Sequence, residues 1–331
     1  MLGTGKERMR VTGRRKLAGY MSYALPALLL LAICAFAVWR WAAATQAVSV
    51  LNLVDGWFTS ASTELAAGPV PYGEDPAQRL YIHRARGAPE GLPVLVFIHG
   101  GGWRSGDPAD YAYVARNFAP HGFVVVTPGY RLDEAGRFPA MLEDGAKAIG
   151  WVRGNIAKYG GDPSRIYLMG HSAGAYIGAM LALDRQWLAA EGIENGAIAG
   201  FVGLAGPYDF LPLDTDSTRR AFGHADSPEA TQPVNFARGD APPMLLASGS
   251  EDTLVRPRNS IALARALSEA GAPTEPVILD GLDHADLVVR LARPFDRDPR
   301  VKDAVLAFLV HLEKKHGESS VSSVPVQGES R

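Results

Sequence analysis

The chain has 331 residues, 47% of them hydrophobic and 21% charged, with a formal net charge of −2. That balance is globular; it excludes a collagen-like or wholly disordered chain and leaves enough length for a large buried core. The small net charge offers no basic field for nucleic acid, and the eleven Tyr and six Trp form no stacking ladder.

Residues 1–17 are basic, with Lys6, Arg8, Arg10, Arg14, Arg15 and Lys16 against the one acid Glu7. From Ala18 to Trp39 no residue is charged. As a helix rising about 1.5 Å per residue, that stretch covers a hydrocarbon core about 30 Å thick. Tyr20, Tyr23, Trp39 and Trp41 flank it as interfacial aromatics do. The expectation is a transmembrane signal anchor over 18–41, with residues 1–17 cytoplasmic and the rest on the periplasmic or extracellular side. A cleaved secretory signal is the alternative, because Ala42-Ala43-Ala44 offers small residues for cleavage; the length of the apolar run and Arg40 speak against it. Cys34, the one cysteine, lies inside the apolar run and reads as a packing residue.

Residues 42–76 read as a linker with a short amphipathic helix near Val48–Thr59. Strand signals then follow over Gln78–Arg86, Val94–Ile98, Phe123–Val126, Arg165–Met169, Ile198–Leu204, Met244–Ala247 and Pro276–Leu279. Most are short apolar runs, the pattern of fully buried strands. Helical spacing occupies Ala109–Phe118, Ala140–Lys158, Ala173–Ala190, Arg258–Ala270 and Val301–Lys315. The alternation predicts an α/β domain over 77–316, a mostly parallel sheet with helices on both faces. Residues 206–242 break the alternation and are expected to form a small cap, and the Ser/Gly-rich 317–331 a disordered tail.

Two glycine-rich turns carry the chemistry. Gly170-His171-Ser172-Ala173-Gly174 lies between a strand and a helix, the context a G-x-S-x-G nucleophile turn requires. The helix N-terminus behind it favours developing negative charge. His99-Gly100-Gly101-Gly102-Trp103 follows the strand Val94–Ile98. Its flexible backbone can turn the amides of Gly101 and Gly102 toward an oxyanion, with the Ala173 amide as a third donor. Phosphate cradling is the rival reading, but neither G-K-[S/T] nor G-x-G-x-x-G follows.

Paired about 70 residues apart, HGGGW and GHSAG resemble the α/β-hydrolase superfamily, most closely its hormone-sensitive-lipase-like and carboxylesterase branch. Intervening residues agree: Pro128-Gly129-Tyr130-Arg131-Leu132, Phe138-Pro139-Ala140, Asp144, and Gly161-Asp162-Pro163-Ser164-Arg165. The resemblance spans roughly residues 79–312 and implies the chain order nucleophile, acid, base. Of the eight histidines, His284 alone lies in the loop after the last expected strand, His311 and His316 falling on or after the last helix, and the resemblance makes it the base. The loop Ser248–Val255 resembles the family's acid loop, which implies Asp252 as the acid, with Glu251 the nearest rival. Asp280, Asp283 and Asp286 are too close in sequence to His284 to orient it easily. Asp144 reads as a structural acceptor, His99 and Trp103 as parts of their own loop, and Gly206–Phe210 as an acyl-pocket wall.

The expected function is hydrolysis of a small-molecule carboxylic ester through an acyl-enzyme on Ser172, with no metal or organic cofactor. The sequence is silent on oligomeric state. An arylformamidase-like amide hydrolase and a catalytically silent binding scaffold are the alternatives; the complete Ser172, Asp252 and His284 set argues against the second.

Overall fold

The structure, a computed structural model, describes residues 47–59 and 61–322. The expected anchor over 18–41, the basic residues before it, Cys34 and the end of the tail lie outside the described residues. Among the described residues no helix is long and apolar enough to cross a membrane. The body begins at Leu51. Of the unit before it, only Ala47–Val50 is described, as the opening turn of helix α1, Ala47–Phe58.

Among the described residues eight strands form one sheet in the order β1-β2-β4-β3-β5-β6-β7-β8. They are Thr63–Pro71, Arg79–Ala85, Leu92–Ile98, Val124–Pro128, Gly161–His171, Ile198–Leu204, Met244–Gly249 and Pro276–Leu279, numbered β1 to β8. β1 pairs antiparallel with β2, and β2 with β4. Every pairing from β4 through β8 is parallel. The central strands are buried along most of their length, as their unbroken apolar runs require.

The crossovers follow from the strand order. From β3 the chain moves to β4 through α2, Ala112–Phe118, and then returns past β3 to β5 through α3, Ala140–Asn155. Right-handed crossovers running in opposite directions lie on opposite faces, so α2 and α3 cover different sides of the sheet. The helices that continue outward from β5 keep to the α3 side: α4 (Ala173–Leu183), α5 (Arg185–Ala190) and α7 (Arg258–Glu269). The last helix lies with α2, because Lys302 Nζ donates to Asn117 Oδ1 at 2.8 Å. The connection therefore changes direction between β3 and β5. Open α/β sheets bind ligands at such a point, outside the C-terminal strand ends. Ile98 pairs with Gly170 there, so the two glycine-rich turns leave the sheet side by side.

Three expectations need correction. The segment 42–76 is not all linker: β1 is an edge strand within it, and α1 packs on the body through Leu51 and Asp55. β1 escaped its pattern because its pairing shifts register between Leu65 and Ala67 and again before Val70, which breaks the two-residue period. The helix expected over Ala173–Ala190 is two helices. Asp184 ends the first and caps the second, accepting the Gln186 N–H at 3.2 Å. After the one-turn helix α8, Asp286–Val289, the last described helix, α9, runs over Arg300–Ser322, so helix continues past Gly317 where a tail was expected. Val301, Val305 and Leu309 bury its inner face, and extension beyond an anchored segment costs little.

Candidate active site

Ser172 stands between β5 and α4 with φ 54° and ψ −119°. That backbone is strained for a residue with a Cβ, and the surrounding sheet holds it. The Ser172 N–H donates to the Leu204 carbonyl at 2.9 Å, and the Ser172 carbonyl accepts from the Tyr176 N–H at 3.1 Å. The flanking glycines are needed for close approach. A Cβ on Gly174 would lie 2.0 Å from the Ile98 carbonyl oxygen, and one on Gly170 would lie 2.4 Å from the Gly174 backbone. The helix therefore starts against the strand, with the serine at the apex.

His284 and Asp252 reach this apex from the adjacent strands β8 and β7, whose ends pair at Gly249 and Leu279. The gap between His284 Nε2 and Ser172 Oγ is 3.0 Å, and between His284 Nδ1 and Asp252 Oδ2 it is 2.7 Å. Asp252 is buried, and its other oxygen accepts from the Leu254 and Val255 amides at 2.9 and 2.8 Å. A carboxylate accepts only, so it fixes the proton of His284 on Nδ1 and leaves the Nε2 lone pair for the serine hydroxyl. The three side chains named from sequence thus meet. The rival acids do not: Glu251 is exposed, and Asp283 and Asp286 bond to each other's amides at 3.1 and 2.9 Å. Asp280 faces Ser250 at 3.4 Å.

The HGGGW turn packs against Ser172, since a Cβ on Gly100 would lie 3.2 Å from that of the serine. Its peptides are held by their carbonyls. His99 Nδ1 donates to the Gly100 carbonyl at 2.8 Å, which turns the N–H of Gly101 to the other side of that peptide plane. The Gly101 carbonyl accepts from the Arg104 and Ser105 amides at 3.1 and 3.2 Å, which does the same for the N–H of Gly102. Gly101 and Gly102 have φ of 119° and 59°, in the region glycine favours. The Ala173 N–H opens α4 and as its first residue has no acceptor within the helix. These amides form the candidate oxyanion hole.

A cavity of about 240 Å³ opens beside Ser172. Gly102, Trp103, Pro207, Phe210 and Leu254 line it together with Ser217 and Thr218. The last two come from the segment expected to be a cap, which carries α6, Asp216–Phe222, and two single 3₁₀ turns. Ser217 Oγ donates to the Gly102 carbonyl at 2.7 Å and so ties α6 to the oxyanion turn. Trp103 meets Tyr176 and Phe222 edge-on, at centroid distances of 5.6 and 4.8 Å. Sequence reasoning named Pro207 and Phe210 but not Ser217, which carries no motif.

Two further histidines sit beside the site and stay neutral. Burial pushes His99 down to about 4. Burial first, and then the neighbouring His284, push His171 down to about 3. His171 is turned toward His284, its Nε2–H donating to the His284 carbonyl at 3.0 Å with the rings 4.8 Å apart. Asp144 is a structural acceptor, fully buried and bonded to Gln78 Nε2 at 2.6 Å and to the Arg131 amide and guanidinium.

The BD-FAE family model matches residues 80–267, more than half of the chain. The chain belongs to the BD-FAE family. The match takes in both glycine-rich turns and Asp252 and ends ahead of His284. Isoprenylcysteine alpha-carbonyl methylesterase of Arabidopsis thaliana is 30% identical, over 77% of this chain and 64% of its own length. Esterase LipC of Mycobacterium tuberculosis is 31% identical, over 61% of this chain and 55% of its own. The chain therefore spans less than two thirds of either relative. Esterase B from Lactobacillus Rhamnosis superposes with a TM-score of 0.71 at 18% identity, covering 86% of this chain and 95% of that one. At that identity the likeness is one of fold.

Proposed function

We propose that this chain hydrolyses carboxylic esters through an acyl-enzyme, with Ser172 as nucleophile, His284 as general base and acid, and Asp252 as its orienting partner. The observation that carries the reading is the pair of hydrogen bonds at 3.0 and 2.7 Å that link the three side chains. His284 takes the Ser172 proton as the oxygen attacks the ester carbonyl carbon. The amides of Gly101, Gly102 and Ala173 stabilise the resulting oxyanion, where a single donor is worth about 2.7–4 kcal/mol of barrier. His284 then gives its proton to the leaving alcohol. Water, activated in turn by His284, releases the acid and restores the serine.

The relatives named as a methylesterase and an esterase support an ester over an amide substrate. The cavity beside Ser172, walled by Trp103 and Phe210, suits a short or medium acyl group. Cellular placement belongs to the same proposal. Residues 18–41 anchor the chain in a membrane, and the catalytic domain works outside the cytoplasm.

Covalent labelling by a fluorophosphonate, joined to an acyl-length series of p-nitrophenyl esters, tests this reading. Wild type should label and turn over, with a maximum at short acyl chains. Ser172→Ala should do neither while keeping its melting transition. Equal labelling of the alanine variant would remove Ser172 from the chemistry.

A further inference from the structure

Helix α1 is amphipathic in reverse. Its one charged side chain, Asp55, faces inward and is fully buried. It accepts from Arg116 Nε at 2.7 Å, Asn117 Nδ2 at 2.8 Å and the Arg293 amide at 2.8 Å. Leu51, one turn earlier, is buried on the same side. The outward face carries Leu53 and Trp57, 58% and 73% exposed, four residues apart and so one above the other. Phe58, seven residues after Leu51, follows the inward side and is 54% exposed where the helix ends. Scattered exposed apolar residues are ordinary, but Leu53 and Trp57 stacked on one face, with Phe58 at the adjoining helix end, form a patch on a helix whose carboxylate is buried.

Seven residues, 40–46, separate the uncharged stretch Ala18–Trp39 from the start of α1 at Ala47. Seven residues span at most about 25 Å. If that stretch crosses a bilayer, α1 starts within this distance of the membrane surface. Tryptophan is the side chain enriched at that depth.

We propose that the Leu53 and Trp57 face of α1, with Phe58 at its C-terminal end, lies in the interfacial layer of a lipid bilayer, so that the catalytic domain is seated on the membrane and not merely tethered to it. The proposal rests on the reading of residues 18–41 as an uncleaved anchor. No residue of α1 is basic, so the seating is apolar and does not depend on anionic lipid.

The full chain, carrying Cys34→Ser and Trp57→Cys with a nitroxide on the new thiol, is reconstituted in phosphatidylcholine vesicles with and without phosphatidylglycerol. A label at the exposed Glu74 serves as control. The expected result is a label at 57 that meets oxygen more than an aqueous nickel chelate, at a depth of about 5–10 Å, alike in both lipids and at high salt. Chelate access equal to that at 74 would overturn the proposal. So would a label shielded from both reagents in vesicles and in detergent alike, since protein would then cover the face. Alkaline extraction with N-terminal sequencing separates this from the anchor reading. If a chain cut after Ala44 is released, its flotation with vesicles decides. Flotation weakened about tenfold by L53S, W57S and F58S together upholds the docking face without the anchor, and no flotation ends it.

Discussion

At residue 172 the chain accepts an unfavourable backbone to place one oxygen. A residue with a Cβ at φ 54° and ψ −119° is held there by its neighbours, and glycine would rest there without strain. Ser172→Gly should therefore be more stable than Ser172→Ala by about 1 kcal/mol in denaturant titration, although both are inactive. Equal midpoints would mean that the turn is relaxed. Asp252 tests the other end of the chain of hydrogen bonds. Asn in its place keeps the shape but can present an N–H to His284 Nδ1, which selects the wrong tautomer. We expect kcat to fall by about 10⁴ with KM little changed, as seen when the acid of such a triad is amidated. A loss under tenfold would show that His284 is oriented by something else. His171 is the evident candidate, because it holds the His284 carbonyl.

The nucleophile turn is a joint between elements, and its tolerances are backbone distances. Gly174→Ala would put a methyl 2.0 Å from the Ile98 carbonyl and 2.6 Å from that of His99, so α4 must move off β3. We expect a loss of about 1–3 kcal/mol or more, together with lost activity, measured by thermal melts and ester turnover. An unchanged melting point would mean that helix and strand are less closely joined than described. This joint was legible in the sequence because its requirements are local: a glycine on each side, a strand before and a helix after. The loops bearing Asp252 and His284 were legible through the family resemblance, which sets the order nucleophile, acid, base along the chain. Ser217 was not, because its value comes from where α6 lands over Gly102, which no periodicity records. β1 was hidden by its register shifts, and the break at Asp184 by apolar residues continuing on both sides.

Across the whole molecule, buried neutral histidines set a pH response. His83 and His99 are pushed down to about 4 and His171 to about 3, each chiefly by burial. The unfolded chain binds these protons near 6.5 and the folded chain does not. The stability these groups contribute is complete above about 6.5 and is lost as pH falls toward their folded values. Each can cost up to about 1.4 kcal/mol per pH unit in that window. The denaturation midpoint should drop between pH 7 and pH 5, and His83→Phe should flatten the drop. A midpoint independent of pH over this range would show that these rings take up protons in the folded state. The overall plan of alternating strands and helices could be read from composition and pattern, whereas the buried polar contacts between distant segments could not.

The bonds made by Asp55 have a practical consequence for anyone who wishes to shorten the chain for solution work. That carboxylate joins α1 to Arg116, Asn117 and the backbone at Arg293, and Asn117 in turn holds Lys302. Trimming an apolar leader back to the first strand would discard the acid with its helix and uncover its partners, so that Arg116, Asn117 and the Arg293 amide exchange fixed hydrogen bonds for water and the buried contact of Leu51 is lost. A soluble version should begin ahead of Leu51, with polar replacements at 53, 57 and 58 in place of deletion.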